Sequence, residues 1–274
     1  MNKIRLIPVV LLRNGVIVQS KGFKRYQVLG NPSSIVCRLS NWFSDELIYL
    51  DISKTPNYDL RRDDLNYSNH DNILEILKEI SRKCFMPLTF GGRITSVKDI
   101  YDRLVLGADK ISINSQAFKT PNLIEKGAKE FGSQCIVVSI DAKKKENFSW
   151  EVFVDGGKTS TGVCPIKWAI DAQNRGAGEI LINSIDNDGM GNGYDFDLIQ
   201  SISDEITIPA IALGGVGEWS HFEEGIKAGV NAVAAANIFH YTENSVYNAK
   251  KYLFSKGYSV RKPIIETIVT EGDL

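Results

Sequence analysis

Short apolar, β-branched runs recur along the chain, separated by longer stretches whose apolar positions repeat with a helical period. The runs are IRLIPVVLL (4–12), ELIYLDI (46–52), MPLTF (86–90), DKISIN (109–114), CIVVSID (135–141), EILINSI (179–185), IPAIAL (208–213) and NAVAAA (231–236). Each is nearly continuous rather than alternating, as expected for parallel strands covered on both faces. NILEILKEISRK, SVKDIYDRLVLG, NLIEKGAKEFG, PIKWAIDAQNRG and HFEEGIKAG read as amphipathic helices, several closed by a C-capping glycine. Eight such strands alternating with helices predict an α/β chain folded as a single (β/α)₈ TIM barrel over residues 1–262, with 263–274 as a C-terminal tail.

Two stretches break the rhythm. Residues 53–70, SKTPNYDLRRDDLNYSNH, are polar and turn-rich, and they follow the second strand on the face where barrel enzymes keep their active-site loops. After the fifth strand, NFSWEVFVDGGKTSTG reads as a β-hairpin turned at Asp155 and Gly156. The two halves also resemble each other: PLTFGGRI (87–94) echoes PAIALGGVG (209–217), and DELIYLDIS (45–53) echoes GEILINSID (178–186). Two half-barrel repeats would set Gly91-Gly92 and Gly214-Gly215 across the barrel from one another.

A length of 274 residues suits one barrel of this kind. Lys plus Arg total 32 against 33 acids, a net charge of -1, so there is no global field to hold nucleic acid or an anionic membrane, and any phosphate site must be local. The four cysteines (Cys37, Cys84, Cys135, Cys164) are scattered, with no C-x-x-C and no histidine at ligand spacing. They read as packing residues of a reduced compartment, with no metal site. The N-terminal run LIPVVLL carries Pro8, ends at Arg13 and lacks a cleavage site, so it is not a signal peptide, and no stretch approaches the roughly 20 apolar residues of a membrane span. A soluble, cytoplasmic protein is expected.

Glycine pairs directly after a strand let backbone N–H groups approach an anion, and two copies in matching halves point to a ligand phosphorylated at both ends. Asn114 and Asn237, closing the following strands, are placed to assist each site. Asp51, Asp141, Asp186 and Asp188 stand at strand ends, where an aspartate is either a general acid or base or a helix cap. Asp141 is followed by two lysines able to favour its ionised form, and Asp188 lies in a glycine-studded loop. At the opposite strand ends stand Arg5, Glu46, Lys110 and Glu179. If all four point inward they must pair, because an unpaired buried charge is prohibitively costly.

The segments RLIP…NG, ELIYLDI, GGRI, GADKISINSQAF, FGSQCIVVSIDAK, RGAGEILINSIDNDGMGNGYD and AGVNAVAAANIFH resemble, in order, the cyclase subunit of imidazole glycerol phosphate synthase, the HisF family. The resemblance implies a barrel that binds a HisH-like glutaminase and uses its ammonia on a nucleotide with two phosphates. It makes Gly91, Gly92 and Asn114 one phosphate site, and Gly214, Gly215, Ala236 and Asn237 the other. Asp141 matches a catalytic aspartate and Asp188 a supporting acid. Arg5, Glu46, Lys110 and Glu179 match the gate through which ammonia enters, and Asp109 a docking residue for the glutaminase. No cofactor is implied.

Departures from the family pattern matter as much. The other catalytic aspartate, at the end of strand 1, is Leu11. The lysine of the following mobile loop is Gln19, and the third glycine of the first phosphate loop is Arg93, which remains able to pair with a phosphate or carboxylate. A lost general acid or base costs about 10²- to 10⁴-fold in rate. An intact entrance beside altered chemistry is similar to the HisF-like paralogues of surface-glycan gene sets, which work with a glutaminase and an N-sugar amidotransferase in making acetamidino sugars. The ordinary histidine-pathway cyclase is the alternative, and an isomerase of the related pathway barrel the weaker third reading.

Overall fold

In the computed structural model, which describes residues 3–55, 58, 70, 72–146 and 149–263, every apolar run becomes a strand. They are β1 (Arg5–Arg13), β2 (Leu47–Asp51), β3 (Leu88–Gly91), β4 (Lys110–Ile113), β5 (Ile136–Lys144), β6 (Glu179–Ser184), β7 (Ala210–Leu213) and β8 (Ala232–Ala235). Each pairs in parallel with the next in sequence, including β5 with β6 (Val137 opposite Glu179), and β8 returns to β1 (Ala232 opposite Arg5). The eight parallel strands therefore close on themselves as a (β/α)₈ barrel.

Strand alternation sorts the core into two shells. Residues facing one way, such as Leu6, Val10, Leu12, Leu47, Tyr49 and Phe90, meet the surrounding helices. Facing the other way, Ile7 and Val9 meet Ile48, Val137, Leu181, Ile211, Leu213, Ala232 and Ala234 in the barrel interior, with Leu11, Leu50 and Ala236 at its margin. The helices are set by local chemistry. Asn31 caps α1 (Pro32–Asn41), which has proline in its first turn, and Ser96 and Asp99 form a capping box on the helix Val97–Val105.

Of the two expected interruptions, the hairpin after β5 is described, and a further departure follows β1. The stretch after β1, expected as a mobile loop, is an antiparallel hairpin of Val16–Lys21 and Arg25–Gly30. Its first turn is Asn14-Gly15, both left-handed (φ 50° and 81°), which folds β1 back on itself with Leu11 opposite Val18. The expected hairpin after β5 is present, with strands Trp150–Val154 and Thr159–Ser160 turned through Asp155, Gly156 and Gly157, all at positive φ. Most of the polar stretch 53–70, and the tail beyond Pro263, lie outside the described residues.

The cysteines need a correction. All four are free; half-buried Cys84 packs against the core as expected, whereas Cys37 is exposed on α1 and Cys135 and Cys164 are half-buried outside that cluster. No helix among the described residues is long and apolar enough to cross a membrane, and no group of three or more His, Cys, Asp or Glu is placed to hold a metal.

Two mouth glycines separate two kinds of constraint. Gly215 has φ 106°, and a Cβ there would lie 1.9 Å from the carbonyl oxygen of Gly193, whose own N–H donates to the Gly215 carbonyl. Gly156 has φ 68° and open space around it. Gly215→Ala is expected to lower unfolding free energy by about 2–4 kcal/mol, and Gly156→Ala by about 1 kcal/mol, in urea titrations.

Candidate active site

The four charges at the strand starts converge on the barrel axis. Arg5 Nη1 lies 2.6 Å from Glu46 Oε2, and its Nη2 lies 2.9 Å from Glu179 Oε1. Across the ring, Lys110 Nζ stands 3.1 Å from Glu46 and 3.0 Å from Glu179. Thr89 adds a hydroxyl donor to Glu46 at 2.7 Å. Each cation touches both carboxylates and each carboxylate both cations, so the floor is closed by a balanced ring. The two carboxylates, despite the desolvation of burial, hold Arg5 above its ordinary value. Beside the ring, Asp109 is exposed at the rim, its Oδ2 accepting from the Leu88 N–H at 2.8 Å.

Following the inward positions upward from the floor leads through the apolar interior to a polar cluster at the mouth. Asp141 is buried there, with Asn114 Nδ2 donating to Oδ2 at 2.9 Å and Asn183 Nδ2 donating to Oδ1 at 3.1 Å. Burial dominates these two bonds and, aided by the charge of Asp188, raises the carboxyl to about 6. That corrects the expectation that lysines favour its ionised form: Lys143 and Lys144 are exposed and do not reach it. Because Asn183 must turn its amide N–H groups toward Asp141, its Oδ1 faces away, buried and without a partner among the described residues.

The first hairpin covers one side of this cluster. Ser20 Oγ donates to Asp188 Oδ2 at 2.6 Å, the Phe23 N–H reaches the same oxygen at 3.3 Å, and Asn237 Nδ2 donates to the Ser20 carbonyl at 2.8 Å. Asp188 and Asn237 thus anchor the hairpin. Gln19 points away from the axis, held between Gln27 and the hydroxyl of Tyr241. Tyr26 stands under the Arg13 guanidinium, 4.3 Å from its ring centre. Burial, with Asp188 and Asp141 nearby, raises its phenol, and Arg13 opposes the shift.

At β2 and β3 the expected candidates engage one another. Asp51 is fully enclosed, accepting from the Ser53 N–H at 2.9 Å and from Tyr58 Oη at 3.1 Å. Arg93, at φ 53°, brings Nε to 3.2 Å from Asp51 Oδ2 without hydrogen-bond alignment, and both Nε and Nη2 are buried without such a bond. Gly92 must lack a Cβ because one would sit 2.5 Å from the Asp51 carbonyl oxygen. Asp186 is exposed and accepts from the Lys144 N–H at 2.8 Å, a turn role apart from the cluster.

Residues 5–245 match the family model described as histidine biosynthesis protein. The chain is 40% identical over 258 residues to imidazole glycerol phosphate synthase subunit HisF of Wolinella succinogenes, covering 94% of this chain and 97% of that one. The same subunit of Endomicrobium trichonymphae is 40% identical (94% and 95% covered), and that of Bacillus cereus strain AH187 42% identical (94% and 98%). The chain belongs to the HisF family.

Of the residues singled out in this HisF-family chain, the fold gathers Arg5, Glu46, Lys110 and Glu179 at one end, and Asp141, Asn114, Asp188 and Asn237 at the other. Gly91 and Gly214 close opposite strands, and Ala236 lies at the interior margin. Asn183, Ser20 and Tyr26 were not among the candidates. Asn183 was legible, since it shares the inward alternation of Glu179 and Leu181 on β6, whereas Tyr26 reaches the mouth only because of the hairpin.

The pKa of Asp141 gives a signed pH dependence. The carboxyl is raised above the ordinary aspartate range, so between about pH 4 and 6 the folded chain binds the proton more tightly, and this group's contribution falls as pH rises through that window. Urea titrations at pH 4 and pH 7 should show Asp141→Asn gaining stability relative to the natural chain at the higher pH. A difference independent of pH would contradict the shift.

Proposed function

We propose that this HisF-type barrel receives ammonia from a HisH-like glutaminase docked at its floor, beside Asp109, and delivers it at the mouth to a phosphorylated ligand. The floor ring is the gate, the apolar interior the conduit for a small neutral molecule, and the unpaired Asn183 Oδ1 an acceptor for the incoming N–H. Gly91, Gly92 and Arg93 on one side, and Gly214, Gly215, Ala236 and Asn237 on the other, are the two anion cradles. In the first cradle the guanidinium of Arg93, with its buried, unbonded Nη2, takes over from the backbone of a third glycine.

The observation that carries the finer reading is Leu11. The inward position at the end of β1, opposite Asp141, holds no proton, and neither Gln19 nor the enclosed Asp51 supplies one. With ring closure weakened, we read the chain as a specialised paralogue that passes ammonia on, with an N-sugar amidotransferase, toward acetamidino groups of surface glycans. One observation favours the histidine-pathway cyclase instead: Asp141, at about 6, is poised to exchange a proton near neutral pH.

The deciding experiment supplies the purified chain with the family's substrate, N′-phosphoribulosyl formimino aminoimidazole carboxamide ribonucleotide, and excess ammonium, with Leu11→Asp in parallel. The paralogue reading expects turnover about 10²- to 10⁴-fold below the restored variant. Comparable turnover by both would return the chain to the histidine pathway. In either pathway, Lys110→Ala or Glu179→Ala should impair glutamine-dependent activity more than activity with added ammonium; equal loss would remove the gate from the reading.

A further inference from the structure

The four floor charges satisfy one another, but the backbone that carries two of them is held from outside the barrel. Lys250, on the helix Ser245–Ser255, is 1% exposed, and its ammonium donates to Asp45 Oδ1 at 2.5 Å and to the Phe43 carbonyl. Asp45 turns its other oxygen to β1: Oδ2 accepts from the Leu6 N–H at 2.9 Å, while the Asp45 N–H donates to the Leu6 carbonyl at 3.4 Å. Asp45 directly precedes Glu46, and Leu6 directly follows Arg5. The residues that Lys250 clamps are therefore the chain neighbours of the Arg5–Glu46 pair, which closes at 2.6 Å.

Two further observations mark this clamp as a constraint on the floor. Phe43 sits at φ 64°, a conformation that a bulky L residue rarely adopts, and it is 44% exposed, so packing of its own ring does little to hold it there. The bond from Lys250 to its carbonyl does. Asp109 makes the equivalent contact ahead of the other ring cation, Lys110, with Oδ2 accepting from the Leu88 N–H at 2.8 Å, but it is exposed and pairs with no cation among the described residues. Only the Arg5–Glu46 side of the ring is thus tied to a buried lysine. Burial lowers the pKa of Lys250 against the attraction of Asp45, as expected for an ammonium taken out of water to make these contacts.

We propose that Lys250 is a positioning residue for the floor ring: by clamping Phe43 and Asp45 it fixes the backbone of Glu46 against that of Arg5, so that a helix outside the barrel sets one half of the ring. Arg5 spans two carboxylates, Nη1 on Glu46 and Nη2 on Glu179, and a guanidinium can hold both only while its own strand and that of Glu46 keep their relative height. Loosening the clamp frees the segment 43–45, and the two-carboxylate grip of Arg5 goes with it. The geometric claim needs no assigned activity; its consequence for ammonia transfer rests on the reading of the ring as a gate.

The test is nitrogen NMR of the arginine side chains in the full chain. The two Nη groups of Arg5, held by different carboxylates, should give two resolved signals, assigned with Arg5→Lys. In Lys250→Met they should merge, as the guanidinium turns freely. That variant leaves the Asp45 carboxylate, 10% exposed, without its cation and loses stability, so the neutral pair Lys250→Met/Asp45→Asn, which strands no charge, is measured beside it. The signals should merge there too, whereas Lys250→Arg should keep them apart. A lysine with a merely structural role would lower the unfolding midpoint and leave two resolved Arg5 signals in every folded variant, and that result overturns the proposal. With a HisH-like glutaminase added, glutamine-driven activity of the neutral pair should fall about tenfold relative to ammonium-driven activity. Merged signals with an unchanged ratio would uphold the positioning role and count against the ring as the gate.

Discussion

Burying ionised side chains at the narrow end of an eight-stranded barrel is tolerable only when each charge meets its opposite inside the ring. The alternation of parallel strands forces this condition, because every second side chain of a closed barrel points at the axis. Above Arg5 come Ile7, Val9 and Leu11, and above Glu179 come Leu181 and Asn183. On these two tracks the polar groups stand at the ends, where partners reach them, while on the tracks of Lys110 and Asp141 the small hydroxyls of Ser112 and Ser139 are buried between. At the floor the partners are the four charges themselves. Removing one leaves an uncompensated charge, with a penalty of about 3 kcal/mol or more for a buried site and less here, since Arg5 and Lys110 keep 24% and 19% of their side-chain surface.

The mouth follows the same rule with a different solution. Asp141 is stabilised by two neutral amides rather than by a cation, so burial is offset only in part and its pKa moves up instead of down. Asp51 has nearly the opposite surroundings: a guanidinium at ion-pair distance, a backbone N–H and a phenol. It belongs to the scaffold of the first glycine loop, and Arg93 both fills the place of a glycine and is drawn toward that carboxylate. The two departures at strand ends, Leu11 and Arg93, therefore differ in kind. Leu11 adds to the apolar lining, whereas Arg93 carries a charge and binds it into the loop.

Much of this was legible in the residue pattern. Strand number, barrel class, the second hairpin and the floor ring follow from apolar runs, the turn at Asp155-Gly156, and charges at matching strand starts. What escaped depended on conformation at a few residues. Asn14-Gly15 is a strong hairpin signal, since both take the left-handed turn that matches strand twist, yet the polar stretch after it reads as loop unless that turn is given its weight. The roles of Ser20 and Tyr26 needed the hairpin's position over the mouth, which no local pattern encodes. The pKa of Asp141 escaped for another reason: neighbours in sequence, Lys143 and Lys144, are not neighbours in space once the strand leaves the barrel and its side chains turn to solvent.

The two ends of the barrel answer to different constraints, and this is why one can change while the other is kept. The floor ring is self-contained: its four members satisfy one another, and a substitution at any of them strands the remaining charges. The mouth is modular, with Asp141 held by Asn114 and Asn183, the first glycine loop by Asp51 and Arg93, and the hairpin by Asp188 and Asn237. Leu11, inward at the end of β1, belongs to none of these sets, because its side chain joins the apolar margin of the interior formed with Leu50 and Ala236. A barrel built this way accepts a neutral side chain at the end of β1 at little structural cost, while a change at the floor ring leaves charges without partners.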